Sequence, residues 1–179
     1  MLNVENTCLI VIDVQGKLAQ LMHEKEDLFQ NLKVLIRGCR ILQVPVIWTE
    51  QIPENLGPTT TEIAELLLPE KPISKKSFSC CGESVFMKSL EKVARKQFLL
   101  TGIETHICVY QTAADLLQMG HEVQIVTDCV SSRTAKNKQI GIEKMQHCGG
   151  ILTTTEMALF ELMKVAEGTA FKQIIKIIK

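Results

Sequence analysis

The sequence predicts an α/β fold: three layers, αβα, around a mostly parallel sheet of six strands. Short apolar, β-branched runs alternate with longer stretches of helical period along the whole chain. That is the pattern of a parallel sheet with helices on both faces. The runs at 7–13, 97–102 and 121–128 are also nearly continuous in apolar residues, as strands covered on both faces require.

The elements follow in order. "TCLIVID" (7–13) reads as the first strand and 27–42 as the helix after it. "VPVIWTE" (44–50) is the second strand, followed by a helix over 60–68. "KPISK" (71–75) is a weaker strand whose Pro72 favours its beginning. A helix over 83–96, the strand "QFLLTG" (97–102) and a helix over 107–119 come next. "HEVQIVTD" (121–128), a helix over 136–147 and "GILTTT" (150–155) complete the alternation. Gly120 and Gly149 stand just past two helices, where a C-terminal stop belongs. The tail carries helices near 156–165 and 169–179. In the last, Phe171, Ile174, Ile175 and Ile178 share a face opposite the lysines. A helix docked on the sheet or on a subunit is expected, with a membrane-surface helix as the alternative. No long linker, repeat or low-complexity segment divides the chain, so 1–179 is read as one domain.

Composition narrows the function classes. Lys+Arg and Asp+Glu both number 20, a formal net charge of zero, which argues against nucleic acid or an anionic membrane as partner. The seven cysteines, Cys8, Cys39, Cys80, Cys81, Cys108, Cys129 and Cys148, are odd in number and lack framework spacing. "CLIVI" is too short for a signal core, and no segment approaches the roughly 20 apolar residues of a membrane span. A cytoplasmic protein with reduced thiols is expected. No G-x-G-x-x-G, P-loop or G-x-S-x-G occurs, so neither a nucleotide cofactor nor a serine nucleophile has support.

In open parallel sheets ligands bind outside the carboxyl ends of the strands. There stand Asp13, Glu50, Lys75, Asp128 and the segment Glu104–Cys108. A cysteine in the first turn of a helix is expected to have a lowered pKa, and a nearby lysine pushes the same way. A carboxylate can take the thiol proton, and amides at the helix start can hold an oxyanion. Asp, Lys and Cys together suffice for attack on an amide carbonyl. A lone strand-end Asp, though, is more often a turn or cap residue, and a free cysteine more often a buried small hydrophobe.

The segments "CLIVIDVQGKL", "VPVIWTEQIPENLGPT", "SKKSFSC" and "LLTGIETHICVYQTAADLLQMGHEVQIVTDCVSSR" carry a resemblance to the isochorismatase-like (cysteine) hydrolases over most of the chain. That family shows an aspartate in a D-x-Q motif, a lysine four residues before a serine that follows an aromatic, and "CV" followed by "TA". All three patterns occur here. "T-E-Q-x-P-x-x-L-G" and GIETH-x-C resemble the isochorismatase domain-containing, or MAR1 ribonuclease-like, subgroup. The resemblance implies a Rossmann-like fold and a triad of Asp13, Lys75 and Cys108. Lys75 stands four before Ser79, and Lys76 is the alternative if the loop shifts by one. It also implies a cis peptide at Ile103–Glu104, with the Glu104 and Cys108 amides as oxyanion donors. Gln15, Glu50, Gln51 and His106 are further substrate-binding candidates, and Thr112 is another pocket candidate.

The resemblance implies hydrolysis of a C–N bond in a small molecule through a Cys108 thioester, without cofactor. An inactive member acting as an interaction protein is the alternative. Nicotinamidases of this family carry an Asp-x-His metal motif after the second strand, where this chain reads "TEQIPENLG". His23, His106, His121 and His147 lie elsewhere without ligand spacing, so no metal is expected. A ribonuclease fits poorly, lacking basic bias and a histidine pair. The family's habit implies a homo-oligomer, dimer or tetramer. Trp48 is read as core, and Cys80–Cys81 as packing or loop residues.

Overall fold

The computed structural model of the chain describes residues 1–178. In chain order the strands are β1 (Thr7–Ile12), β2 (Val46–Gln51), β3 (Ile73–Lys75), β4 (Gln97–Ile103), β5 (Glu122–Ser131) and β6 (Ile151–Thr153). The helices are α1 (Gly16–Gln20), α2 (Lys25–Ile41), α3 (Pro53–Leu56), α4 (Thr61–Leu67), α5 (Ser84–Val93), α6 (Tyr110–Gln118), α7 (Ala135–His147), α8 (Thr155–Met163) and α9 (Gly168–Ile178). A 3-10 turn covers Cys80–Gly82 and a π-helical turn covers Thr105–Val109. The strands form one sheet in the order β3-β2-β1-β4-β5-β6, and every pairing is parallel.

β1 shows why the sheet has two covered faces. All its residues are buried, and alternate side chains enter opposite cores because the strand period is two. Leu9 and Val11 join the core built with α2, α4, α8 and α9, including Leu32, Leu35, Ile63, Leu159 and Ile174. Cys8, Ile10 and Ile12 join the other, with Phe86, Phe98, Leu116 and Met145. Each fully buried side chain of this size stabilises by about 1.5–3 kcal/mol. Trp48 belongs to the first core, as expected.

The tail helix α9 docks on α2 and α8 through Ile174, with Ile177 and Ile178 partly buried beside it. The last residue of the expected 169–179 helix, Lys179, lies outside the described residues. α1, α3 and the 3-10 turn are absent from the expectations, because elements this short show no periodicity. α3 starts on Pro53 at a first-turn position that favours proline. Ser79 caps the 3-10 turn by accepting from the Cys81 amide. β5 runs past Asp128, whose carboxylate accepts from the Thr155 amide (2.9 Å) and hydroxyl (3.1 Å) at the start of α8. Cys129 and Val130, both buried, continue the strand.

The strand order reverses its direction of winding between β1 and β4, so the following helices α2 and α6 lie on opposite faces. Loops that diverge in this way leave a crevice at the carboxyl ends of the strands. Asp13 follows β1 and the π-helical turn follows β4, on the two sides of that crevice.

Candidate active site

Asp13 leaves β1 in a left-handed conformation (φ 53°), which aspartate tolerates better than most residues. Its amide donates to the Thr49 carbonyl (3.2 Å) and its carbonyl accepts from the Gln15 amide (2.8 Å). The carboxylate is buried. Oδ1 accepts a hydrogen bond from Thr49 Oγ1 at 2.8 Å, and Oδ2 lies 2.7 Å from Lys75 Nζ.

Lys75 ends β3 with its side chain 0% exposed, against 3% for Asp13, so water does not screen the pair. The ammonium donates to Gln51 Oε1 and to the carbonyls of Ser77 (3.1 Å) and Phe78 (3.0 Å). With those donors directed elsewhere, Asp13 Oδ2 takes no hydrogen bond of good geometry among the described residues. It meets Lys75 as an ion pair and keeps a lone pair open. Lys76 is exposed, and its amide donates to Glu83. The structure therefore brings Lys75, not Lys76, to Asp13.

Cys108 sits in the π-helical turn, whose Ile107 and Val109 amides both donate to the Glu104 carbonyl (3.0 and 3.3 Å). The peptide Ile103–Glu104 is cis. Asp13 and Cys108 share a cavity of about 150 Å³. Its apolar wall is Leu18, Leu56, Phe78, Ile103 and Ile107, and Gln51 and Glu104 complete it.

The electrostatics correct one expectation. Helix start and lysine were expected to lower the Cys108 pKa, yet the thiol is pushed from 9.0 up to about 12. Burial is the main cause and the Asp13 charge the second; Lys75 pulls the other way and is outweighed. Cys108 rests as a thiol. Burial also raises Asp13, with Lys75, Thr49 and Cys108 offsetting only part of it, so this carboxylate is a stronger base than an exposed aspartate. Burial works against the Lys75 ammonium, but the charges of Asp13 and Cys108 hold its pKa above the ordinary value. A neutral thiol thus faces an activated carboxylate beside a fixed cation. That arrangement can form a thiolate at the moment of attack.

The remaining candidates divide. Gln51 and Ile103 line the cavity. Glu104 does too, but its carboxylate is taken by Arg133, through Nε at 3.2 Å and the amide at 3.0 Å. Gln15 does not line it. Its Nε2 donates to the Gly57 carbonyl (2.7 Å) and its Oε1 accepts from the Gln51 amide (2.6 Å), tying β2 to the loop after α3. Glu50 accepts from the amide and hydroxyl of Thr59 (2.6 and 2.8 Å) and so holds a loop. His106 Nδ1 faces Ser132 Oγ at 3.0 Å, and His106 does not line the cavity. Thr112 accepts from the Cys80 amide.

Thr49, Arg133 and the walls Leu18 and Leu56 were not singled out from the sequence. Phe78 entered there only as the aromatic of the lysine-loop pattern, and the structure adds its place on the wall. The role of Thr49 depends on the register of β1 with β2, where Ile12 pairs with it.

Known proteins agree with this architecture. The isochorismatase domain model matches residues 7–157. Isochorismatase domain-containing protein 2 of Danio rerio is 38% identical over 178 residues, covering 99% of this chain and 89% of its own length. Isochorismatase family protein 1B of Dictyostelium discoideum is 35% identical over 180 residues, covering 98% and 87%. The solved structure of a MAR1 ribonuclease from Caenorhabditis elegans superposes with a TM-score of 0.92 at 36% identity, covering 99% and 91%. The family model over residues 7–157, the relatives at 35–38% identity and the superposed structure place this chain in the isochorismatase domain family, as one of its hydrolases.

Proposed function

We propose that the protein hydrolyses a C–N bond in a small amide or ureide through a thioester on Cys108. The observation that supports this reading most is the meeting of three groups at the sheet's switch point. The Cys108 thiol and the Asp13 carboxylate share one cavity, with Lys75 2.7 Å behind the carboxylate.

Asp13 takes the thiol proton as sulfur forms its bond to the carbonyl carbon, and the carbonyl π electrons move to oxygen. Lys75 keeps the transient negative charge balanced. Amides of the Glu104–Cys108 turn are the donors nearest the developing oxyanion. Collapse breaks the C–N bond, and Asp13 returns its proton to the departing nitrogen. Water then attacks the thioester, giving its proton to Asp13, and the thiolate leaves and is reprotonated. The ribonuclease activity in the name of the Caenorhabditis elegans relative finds little support here. A cavity of about 150 Å³ without Lys, Arg or His on its wall fits a nucleotide's phosphates poorly.

The test is a screen of small amides, ureas and carbamates against the wild type, Cys108→Ala and Asp13→Asn, with acid-quench mass spectrometry. Turnover with an acyl adduct on Cys108 is expected. Activity should vanish in Cys108→Ala and fall roughly 10²–10⁴-fold in Asp13→Asn. Turnover that survives Cys108→Ala sinks the mechanism.

A further inference from the structure

The wall of the Cys108 cavity includes no lysine, arginine or histidine, and the cations nearby are committed elsewhere. Lys75 stands behind Asp13, fully buried, with its ammonium facing Asp13, Gln51 and the Ser77 and Phe78 carbonyls. Arg133 is paired with the Glu104 carboxylate. The Gln51 amide is satisfied at both ends, by Lys75 and by the Lys76 carbonyl at 2.8 Å. The polar functions left open toward a ligand are the Cys108 thiol, Asp13 Oδ2 and the backbone of the turn. The other side chains on the wall are hydrocarbon apart from Gln51 and Glu104, whose polar ends are already paired.

We infer that the substrate is a small uncharged acyl amide whose acyl group is a short branched or unbranched hydrocarbon, and that amides bearing a carboxylate are rejected. This rests on the thioester reading above and narrows it. A carboxylate bound here would lose its water with no cation on the wall to pair with it, because the one cation behind Asp13 is already paired with that carboxylate. A hydrocarbon group would meet Leu18, Leu56, Phe78, Ile103 and Ile107. The cavity, about 150 Å³, is of the size that holds a benzene ring, room for roughly five to seven non-hydrogen atoms.

The experiment compares isovaleramide with malonamate, an amide of similar size in which a carboxylate replaces the isopropyl group. kcat/KM is measured for both at pH 8, on the wild type and on Leu56→Arg, which places a cation at the cavity rim, where Leu56 is 36% exposed. Isovaleramide is expected to be favoured at least about a hundredfold, and Leu56→Arg to narrow that ratio at least about tenfold. Equal rates, or a preference for malonamate, overturn the inference while leaving the thioester reading intact. A wild type that hydrolyses neither and forms no acyl adduct counts against the thioester reading instead. Substrate class is then read from protection of Cys108 against alkylation by acrylamide. Protection by isovaleramide and not by malonamate supports the inference; equal protection, or none by either, overturns it.

Discussion

Thr49 orients Asp13, the carboxylate proposed as the base. Its hydroxyl donates to Asp13 Oδ1 at 2.8 Å and lies 3.8 Å from the Cys80 thiol, so Asp13 is gripped on one oxygen by Thr49 and on the other by Lys75. The carboxylate so held shares its cavity with the Cys108 thiol, whose hydrogen bonding helps lower the Asp13 pKa. Hydrogen bonds to a charged group contribute about 1.5–3 kcal/mol, which converts to roughly ten- to a hundredfold in rate if lost in the transition state. Thr49→Val keeps the shape and removes the donor. It is expected to lower kcat by that factor with little change in KM. It should also move the acid limb of the pH–rate profile upward, since the hydroxyl lowers the Asp13 pKa. In the proposed mechanism that limb lies above the ordinary 3.8 in the wild type, because burial raises Asp13: activity that needs the carboxylate ionised is expected to fall as pH drops through the raised value. An unchanged kcat and profile in Thr49→Val would show that Lys75 alone orients the base. Nothing in "VIWTEQ" marks Thr49 above its neighbour Glu50, because both sit at the end of one strand. Only the pairing of β1 with β2 selects it.

At the scale of elements, the turn that carries Cys108, the proposed nucleophile, is shaped by what packs behind it. Two glycines set the distances. At Gly102 (φ 106°) a side chain would put Cβ 2.0 Å from the Ile12 carbonyl, so β4 can pass β1 into the turn only without one. On α7, a Cβ at Gly141 would stand 2.9 Å from the His106 Cα and amide nitrogen, both of them backbone with little freedom to give. Overpacking of this kind costs about 1–3 kcal/mol. Gly141→Ala is therefore expected to stay folded, with a lowered thermal midpoint, while the turn that carries Cys108 shifts. Near-attack geometry is sensitive to such shifts, so kcat should drop at least about tenfold. A variant with lowered stability and wild-type kcat would show that α7 does not position the turn. The helices over 107–119 and 136–147 were both legible from their periodicity, but their contact was not. Neither was the π-helical start at Thr105, where no apolar repeat distinguishes one hydrogen-bonding pattern from another.

For the whole molecule, two cores on one sheet enclose thiols that resist ionisation. Cys8, Cys39 and Cys108 are each raised from 9.0 to about 12, and Cys80 to about 11, all mainly by burial. The unfolded chain loses these protons near pH 9 while the folded chain keeps them, so the folded state binds more protons and stability falls as pH rises through that interval. Lys75, raised by its partners, acts in the same direction above its ordinary 10.5. One pH unit above the unfolded value each thiol contributes about 1 kcal/mol of lost stability. Urea midpoints under reducing conditions should hold between pH 7 and 8 and drop clearly by pH 10. An equal midpoint at pH 8 and pH 10 would contradict the burial of these thiols. The order of strands and helices, and the placing of Asp13, Lys75 and Cys108 at strand ends, follow from the sequence alone, because periodicity and strand termini are local properties of the chain. Tertiary structure decided the rest. Register singled out Lys75 over Lys76 and revealed Thr49, and hydrogen bonds to other segments engage Gln15, Glu50 and His106, none of which lines the cavity. Burial reversed the expected pKa of Cys108, because desolvation depends on every residue that surrounds a group, and those neighbours come from segments far apart in the chain.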